Sequence, residues 1–146
     1  MNALTLLKDD HAKVKKMLNE LDETTERAEK TRTEGLAKLK SELTIHEAIE
    51  EEIFYPALKQ HAEAKEIVLE AYEEHDVVDA IMREIEATPT EDETWGAKFT
   101  VMKENLEHHI EEEEGEMFKQ ARQVFDAGEM DDLGTRMEAR KKELQA

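Results

Sequence analysis

The chain contains no cysteine, which removes disulfides, thiolate metal sites and a thiol nucleophile together. Any metal held by this protein must sit among nitrogen and oxygen donors. Glycine and proline are scarce, five and two in 146 residues, and β-branched residues never cluster in alternating runs, so the composition predicts an all-α fold. A chain of this length buries one sizeable core and not two, which argues for a single bundle domain. No run of about 18 apolar residues occurs, and the start "MNALTLLKDD" has neither the basic residues nor the apolar segment of a secretory signal. A cytoplasmic protein that does not enter membranes is expected. Positive charge is also in deficit, with 20 Lys and Arg against 38 Asp and Glu and a formal net charge of -18. Phosphate backbones and anionic membrane surfaces would be repelled, which argues against nucleic acid as a partner.

Four amphipathic stripes are present. About residues 2 to 29 carry Leu4, Leu7, His11, Val14, Leu18 and Leu21 at helical spacing, and about 34 to 60 carry Leu36, Leu39, Leu43, His46, Glu50, Ile53 and Ala57, with Pro56 expected to kink the last turn. About residues 65 to 87 carry Val68, Tyr72, His75, Val78, Met82 and Ile85; about 94 to 127 carry Trp95, Phe99, Met102, Leu106, His109, Glu113 and Met117 or Phe118. Connections of a few residues make consecutive helices antiparallel, so the spacing predicts an up-down-up-down four-helix bundle over residues 1–127. Residues 128–146, with Leu133, Met137 and Leu144, form a short amphipathic helical tail expected to pack on the bundle's side without chemistry of its own.

Each stripe places a histidine in a core position, and counting residues from the turns at about 1.5 Å per residue puts all four within roughly one helical turn of the same height. His11, His46, His75 and His109 therefore converge. Two of them are followed four residues later by inward glutamates, Glu50 and Glu113, which lie on the same helix face as their histidines. A lone histidine on an apolar stripe is more often a satisfied core residue than a ligand. Four at one level with two buried acids reverse that reading, because buried carboxylates are expensive unless a cation neutralises them. Six donors exceed one tetrahedral zinc and suit a pair of metals, with iron or manganese favoured by imidazole and carboxylate and zinc a possible substitute.

Other motif readings fail on spacing. "HEAIE" has Glu50 where the zinc-protease pattern H-E-x-x-H needs its second histidine. Ferritin-type bundles use Glu-x-x-His pairs, and none of the six histidines has Glu three residues before it.

The segments "LLKDDHAKV", "HEAIEEEIFYPAL", "EEHDVVDAI" and "EHHIEEEEGEMF", one per helix and in that order, resemble the hemerythrin-like, or HHE cation-binding, domain family over about residues 1 to 125. The resemblance implies a non-haem di-iron centre, oxo- or hydroxo-bridged, with His11, His46, Glu50, His75, His109 and Glu113 as metal ligands and the two glutamates bridging. It further implies a small ligand such as O2, NO or peroxide, in a binding or sensing role or in iron and redox homeostasis. The alternatives are a di-iron enzyme that disproportionates peroxide or acts as an oxidase, and a metal-stabilised interaction bundle. A redox or signalling role would require a separate protein partner.

The chain departs from the oxygen-carrying members on helix 3, where they have His-x-x-x-His and Asp79 stands four residues after His75. Asp79 is expected to orient His75 or face solvent. On helix 4 the stripe selects His109 over the adjacent His108, since pairing His108 with Glu112 would turn both about 100° away. Glu47, Glu51, Glu52, Glu112 and Glu114 are expected on the solvated face, with one of them able to complete the ligand shell.

Overall fold

A computed structural model describes all 146 residues. Five helices and no strands are present. Helix α1 is Ala3–Asp22; α2 spans residues 29–59 as Glu29–Ile49, a π-helical turn Glu50–Phe54 and Tyr55–Lys59. Helix α3 is Lys65–Glu86. Helix α4 spans residues 93–124 as Glu93–Glu112, a second π turn Glu113–Met117 and Phe118–Val124; α5 is Ala127–Gln145. Consecutive helices α1 to α4 are neighbours and α1 also meets α4, closing an antiparallel four-helix bundle, with α5 laid across α1 and the middle of α2.

Local chemistry explains the boundaries. Asn2 accepts a hydrogen bond from the Thr5 amide at 2.9 Å, an N-cap worth about 1 kcal/mol. Helix α1 stops seven residues before its expected end because the Thr24 hydroxyl donates to the Leu21 carbonyl at 2.6 Å, offering the backbone an alternative to another helical turn. Arg32 then bonds Thr24 and the Thr90 carbonyl and lies 4.3 Å over the Trp95 ring, tying the first and third connections together. Helix α5 opens with a capping box between Asp126 and Glu129.

Both π turns begin at the inward glutamates. In α2 the Tyr55 amide reaches back to the Glu50 carbonyl, and in α4 the Phe118 amide reaches back to that of Glu113. Pro56 has no N–H to continue the α-helical ladder, so a wide turn before it replaces the expected kink; in α4, Gly115 lies inside the wide turn. Each π turn inserts one residue and rotates everything after it. This corrects the expected inward stripe of α2: Phe54, Tyr55 and Leu58 are buried, whereas Ile53 and Ala57 are only partly so. The same shift buries both Met117 and Phe118 in α4.

The apolar interior is divided in two. One cluster gathers Leu18, Leu39, Met82, Ile85, Trp95 and Phe99 near the α1–α2 and α3–α4 connections. The other gathers Leu7, Phe54, Leu58, Val68 and Phe118 with Met130, Leu133 and Met137 of α5. Between them lies a layer of buried His and Glu.

Candidate metal centre

The four core histidines meet in that layer as two edge-to-face pairs. His11 and His46 have ring centroids 4.9 Å apart, as do His75 and His109. The glutamates span the pairs: Glu50 Oε1 lies 3.1 Å from His46 Nε2 and 3.2 Å from His75 Nε2. Glu113 lies 3.3 Å from His11 Nε2 through Oε1 and 3.1 Å from His109 Nε2 through Oε2. The six residues singled out in the sequence are thus brought together, all buried. His108 is 71 % exposed beside Glu112, outside this layer.

Sequence reasoning missed what holds the far side of each imidazole. His11 Nδ1 contacts Glu114 at 2.7 Å, His46 Nδ1 contacts Asp10 at 3.0 Å, His75 Nδ1 contacts Glu51 at 2.8 Å and His109 Nδ1 contacts Glu74 at 2.7 Å. A carboxylate on every Nδ1 holds a proton there and turns each Nε2 toward the middle, where it can bind a metal once its own proton leaves. Glu51 and Glu114 are therefore not the solvated face charges expected of them. Glu47 departs from that expectation too: it is buried, and burial together with hydrogen bonding to Asp79 raises its carboxyl to about 8. Asp79 serves Glu47, and the carboxylate on His75 is Glu51.

Tyr55, one of the chain's two phenols, also enters the site, although the helical stripe alone does not turn it inward. It is fully buried, and its hydroxyl donates to Glu113 Oε2 at 2.6 Å and lies 3.3 Å from His75 Nε2. Burial and the charges of Glu113 and Glu50 raise its phenol well above the usual range, so without a metal it stays a donor. Only the π turn, by adding a residue, swings position 55 inward.

The electrostatics are those of a site built around positive charge. Burial opposes charge on the imidazoles, but Glu50, 3.2 Å from His75, holds that ring at about 9, and Glu113 with Glu74 holds His109 at about 10. His46 is likewise raised well above its usual value despite burial, by Glu50 and Asp10. Burial would raise Glu113, yet the close approach of Glu50, His109 and His11 holds it well below the carboxylate range. Protonated imidazoles stand here where a cation would otherwise neutralise the acids.

Even so, the arrangement leaves His11 Nε2, His46 Nε2, His109 Nε2, both Glu50 oxygens and Glu113 Oε1 buried without a hydrogen-bond partner. Orphaned buried polar atoms are rare and costly, and these all face one point. They form two groups with metal-ligand spacing: His11, His46, Glu50 and Glu113, and Glu50, His75 and His109. Nitrogen and oxygen donors in these groups fit first-row metal ions. Beside them an apolar cavity of about 10 Å³ is walled by Val14, Leu43, Val78, Leu106 and Ile110, space on the order of one water-sized guest. Leu43, Glu47 and Val78 also line an open groove of about 420 Å³ between α2 and α3.

Similarity to known proteins agrees with this geometry. The hemerythrin HHE cation-binding domain model matches residues 2–121. Uncharacterized proteins of Mycobacterium bovis and Mycobacterium tuberculosis are 32% identical over 148 residues, covering 99% of this chain and 88% of theirs. The crystal structure of a hemerythrin HHE cation-binding domain-containing protein from Mycobacterium kansasii superposes with a TM-score of 0.86 at 28% identity, covering 99% of this chain and 88% of that one. With the family model spanning most of its length and the inward His and Glu residues grouped at metal-ligand spacing, the chain belongs to the hemerythrin HHE cation-binding domain family.

Proposed function

We propose that the protein binds two non-haem iron ions and, through them, O2, NO or peroxide. The observation that carries this reading is the set of partnerless Nε2 and carboxylate atoms facing one another in the buried interior. His11 and His46 would hold one ion, His75 and His109 the other, and Glu50 and Glu113, each within reach of both pairs, would bridge them. The ions would supply reversible redox chemistry toward a small ligand. The chain's own part is to present the Nε2 atoms, fixed by carboxylates on each Nδ1, and to neutralise the bound charge with two glutamates. The apolar wall of Leu43, Val78 and Leu106 excludes bulk water, and the cavity beside it leaves room only for a very small guest.

A second reading, turnover of peroxide, is favoured by one specific observation. The Tyr55 hydroxyl lies against Glu113 inside the site, where it can hand a proton to a bound oxygen.

Metal analysis of anaerobically purified protein tests the proposal, followed by optical spectra on adding O2, NO or peroxide. About two irons per chain and new ligand-to-metal absorption are expected. Absence of iron, or undiminished iron in the His46→Ala, Glu50→Ala double variant, would sink it.

A further inference from the structure

The four carboxylates that hold the histidine Nδ1 atoms are not equivalent. Glu51, Glu74 and Glu114 are between 27 % and 40 % exposed and pair with no Lys or Arg. Asp10 is only 3 % exposed. Its Oδ2 accepts from His46 Nδ1, while its Oδ1 accepts from the Lys141 ammonium, which comes from α5. The C-terminal helix lies beyond the residues that the family model matches, and sequence reasoning gave it only packing.

The seating of α5 is specific. Met130, Leu133 and Met137 enter the apolar cluster beside the centre. Gly134 lies so close to the backbone of Met1, Asn2 and Ala3 that a Cβ there would collide with it. That contact sets the register of α5 against the start of α1, the helix that carries Asp10. Two turns further along, Lys141 arrives over Asp10, and the adjacent Arg140 bonds Glu52 at 3.1 Å on the surface.

We propose that Lys141 is a positioning residue for the metal centre: through Asp10 it fixes the orientation and tautomer of His46, so docking of the C-terminal helix helps build the α1–α2 side of the site. A buried aspartate flanked only by His46 could rotate toward either partner or take water. With one oxygen committed to Lys141, the other is held on Nδ1, which keeps a proton there and turns Nε2 toward the centre. The ammonium also balances the charge of Asp10, which is too buried for water to do so. Carboxylates behind metal-bound histidines change metal affinity by about 10- to 100-fold when altered. The inference rests on the metal reading of the site.

The test compares Lys141→Met, Lys141→Arg and Arg140→Met in the full chain. Release of Fe2+ to a chelator under anaerobic conditions should become about tenfold faster for one of the two ions in Lys141→Met. Lys141→Arg should restore retention, and Arg140→Met, which loses a tail contact remote from any histidine, should behave as the parent. In the metal-free protein the His46 Nδ1–H resonance should move in Lys141→Met while those of His11, His75 and His109 stay in place. A parent-like release rate in Lys141→Met overturns the inference. So does equal loss in Arg140→Met or no rescue by arginine, because either would make general docking of the tail the cause. A parent chain that takes up no iron defeats the metal reading itself, and an unmoved His46 resonance defeats the Lys141 contact whatever the metal content.

Discussion

In α1 and α2, the pair Asp10-His11 is followed 35 positions after His11 by His46, and then by Glu50-Glu51; in α3 and α4, Glu74-His75 is followed 34 positions after His75 by His109, and then by Glu113-Glu114. The roles repeat as well as the letters. The acid before the first histidine holds the Nδ1 of the next helix's histidine, Asp10 on His46 and Glu74 on His109. The second glutamate of each pair holds a histidine of the other half, Glu51 on His75 and Glu114 on His11. A π turn follows in both halves. The halves differ at the residue five after each inward glutamate, where Tyr55 offers a hydroxyl to Glu113 and Phe118 stacks on His11 with ring centroids 6.3 Å apart. They differ again behind the centre, where Lys141 covers Asp10 and no Lys or Arg pairs with Glu74. A near-symmetric scaffold thus gives its two histidine pairs unlike surroundings, one with an available oxygen donor and one with a neutralised carboxylate.

The strongest way to break the comparison is to remove what the halves share. Because Glu50 and Glu113 each span both histidine pairs, Glu50→Ala and Glu113→Ala should each lower bound metal from about two ions per chain to below one. Elemental analysis after desalting reads this, and a variant that keeps two ions would mean its carboxylate bridges nothing.

Next in size is the pH response of the metal-free protein. His75 and His109 are raised in the folded state to about 9 and about 10 from an ordinary 6.5. The stability they contribute is therefore complete below about pH 6.5 and disappears as pH rises through 9 to 10. Metal binding has the opposite slope, since protons compete for the same Nε2 atoms. Denaturation midpoints should fall with rising pH for chelated protein and hold or rise over the neutral range for metal-loaded protein. Parallel trends in the two forms would contradict this account.

The smallest effect sharpens the difference between halves. Tyr55→Phe should retain both ions but lose any visible absorption from phenolate bound to Fe3+. Phe118→Tyr, which places a phenol at the matching position near His11, should add a second such feature. Identical spectra for the parent and Tyr55→Phe would exclude the hydroxyl from the metal's ligands.

Much of this was legible in the sequence. Helical periodicity and short connections specify the bundle, and counting residues from the turns brings the four histidines to one height; their rings indeed touch in pairs. The repeated pattern of an acid before one histidine and two glutamates after the next was also present in the letters, and would have pointed to Asp10, Glu51, Glu74 and Glu114. It was hidden because a stripe at 3.6 residues per turn assigns positions 51 and 114 to the solvent face. That assignment is true of the helix alone, but each side chain reaches sideways to a histidine on its neighbour.

The sequence by itself determined the all-α class, the set of inward histidines and glutamates, and the demand for positive charge among them, since these follow from local periodicity and the cost of burying carboxylates. Only the tertiary structure decided where Tyr55 points, which acid holds which imidazole, and that α5 reaches the centre at all. Those outcomes depend on the one-residue rotation at each π turn and on close packing between helices far apart in the chain, and neither leaves a periodic trace in the order of residues.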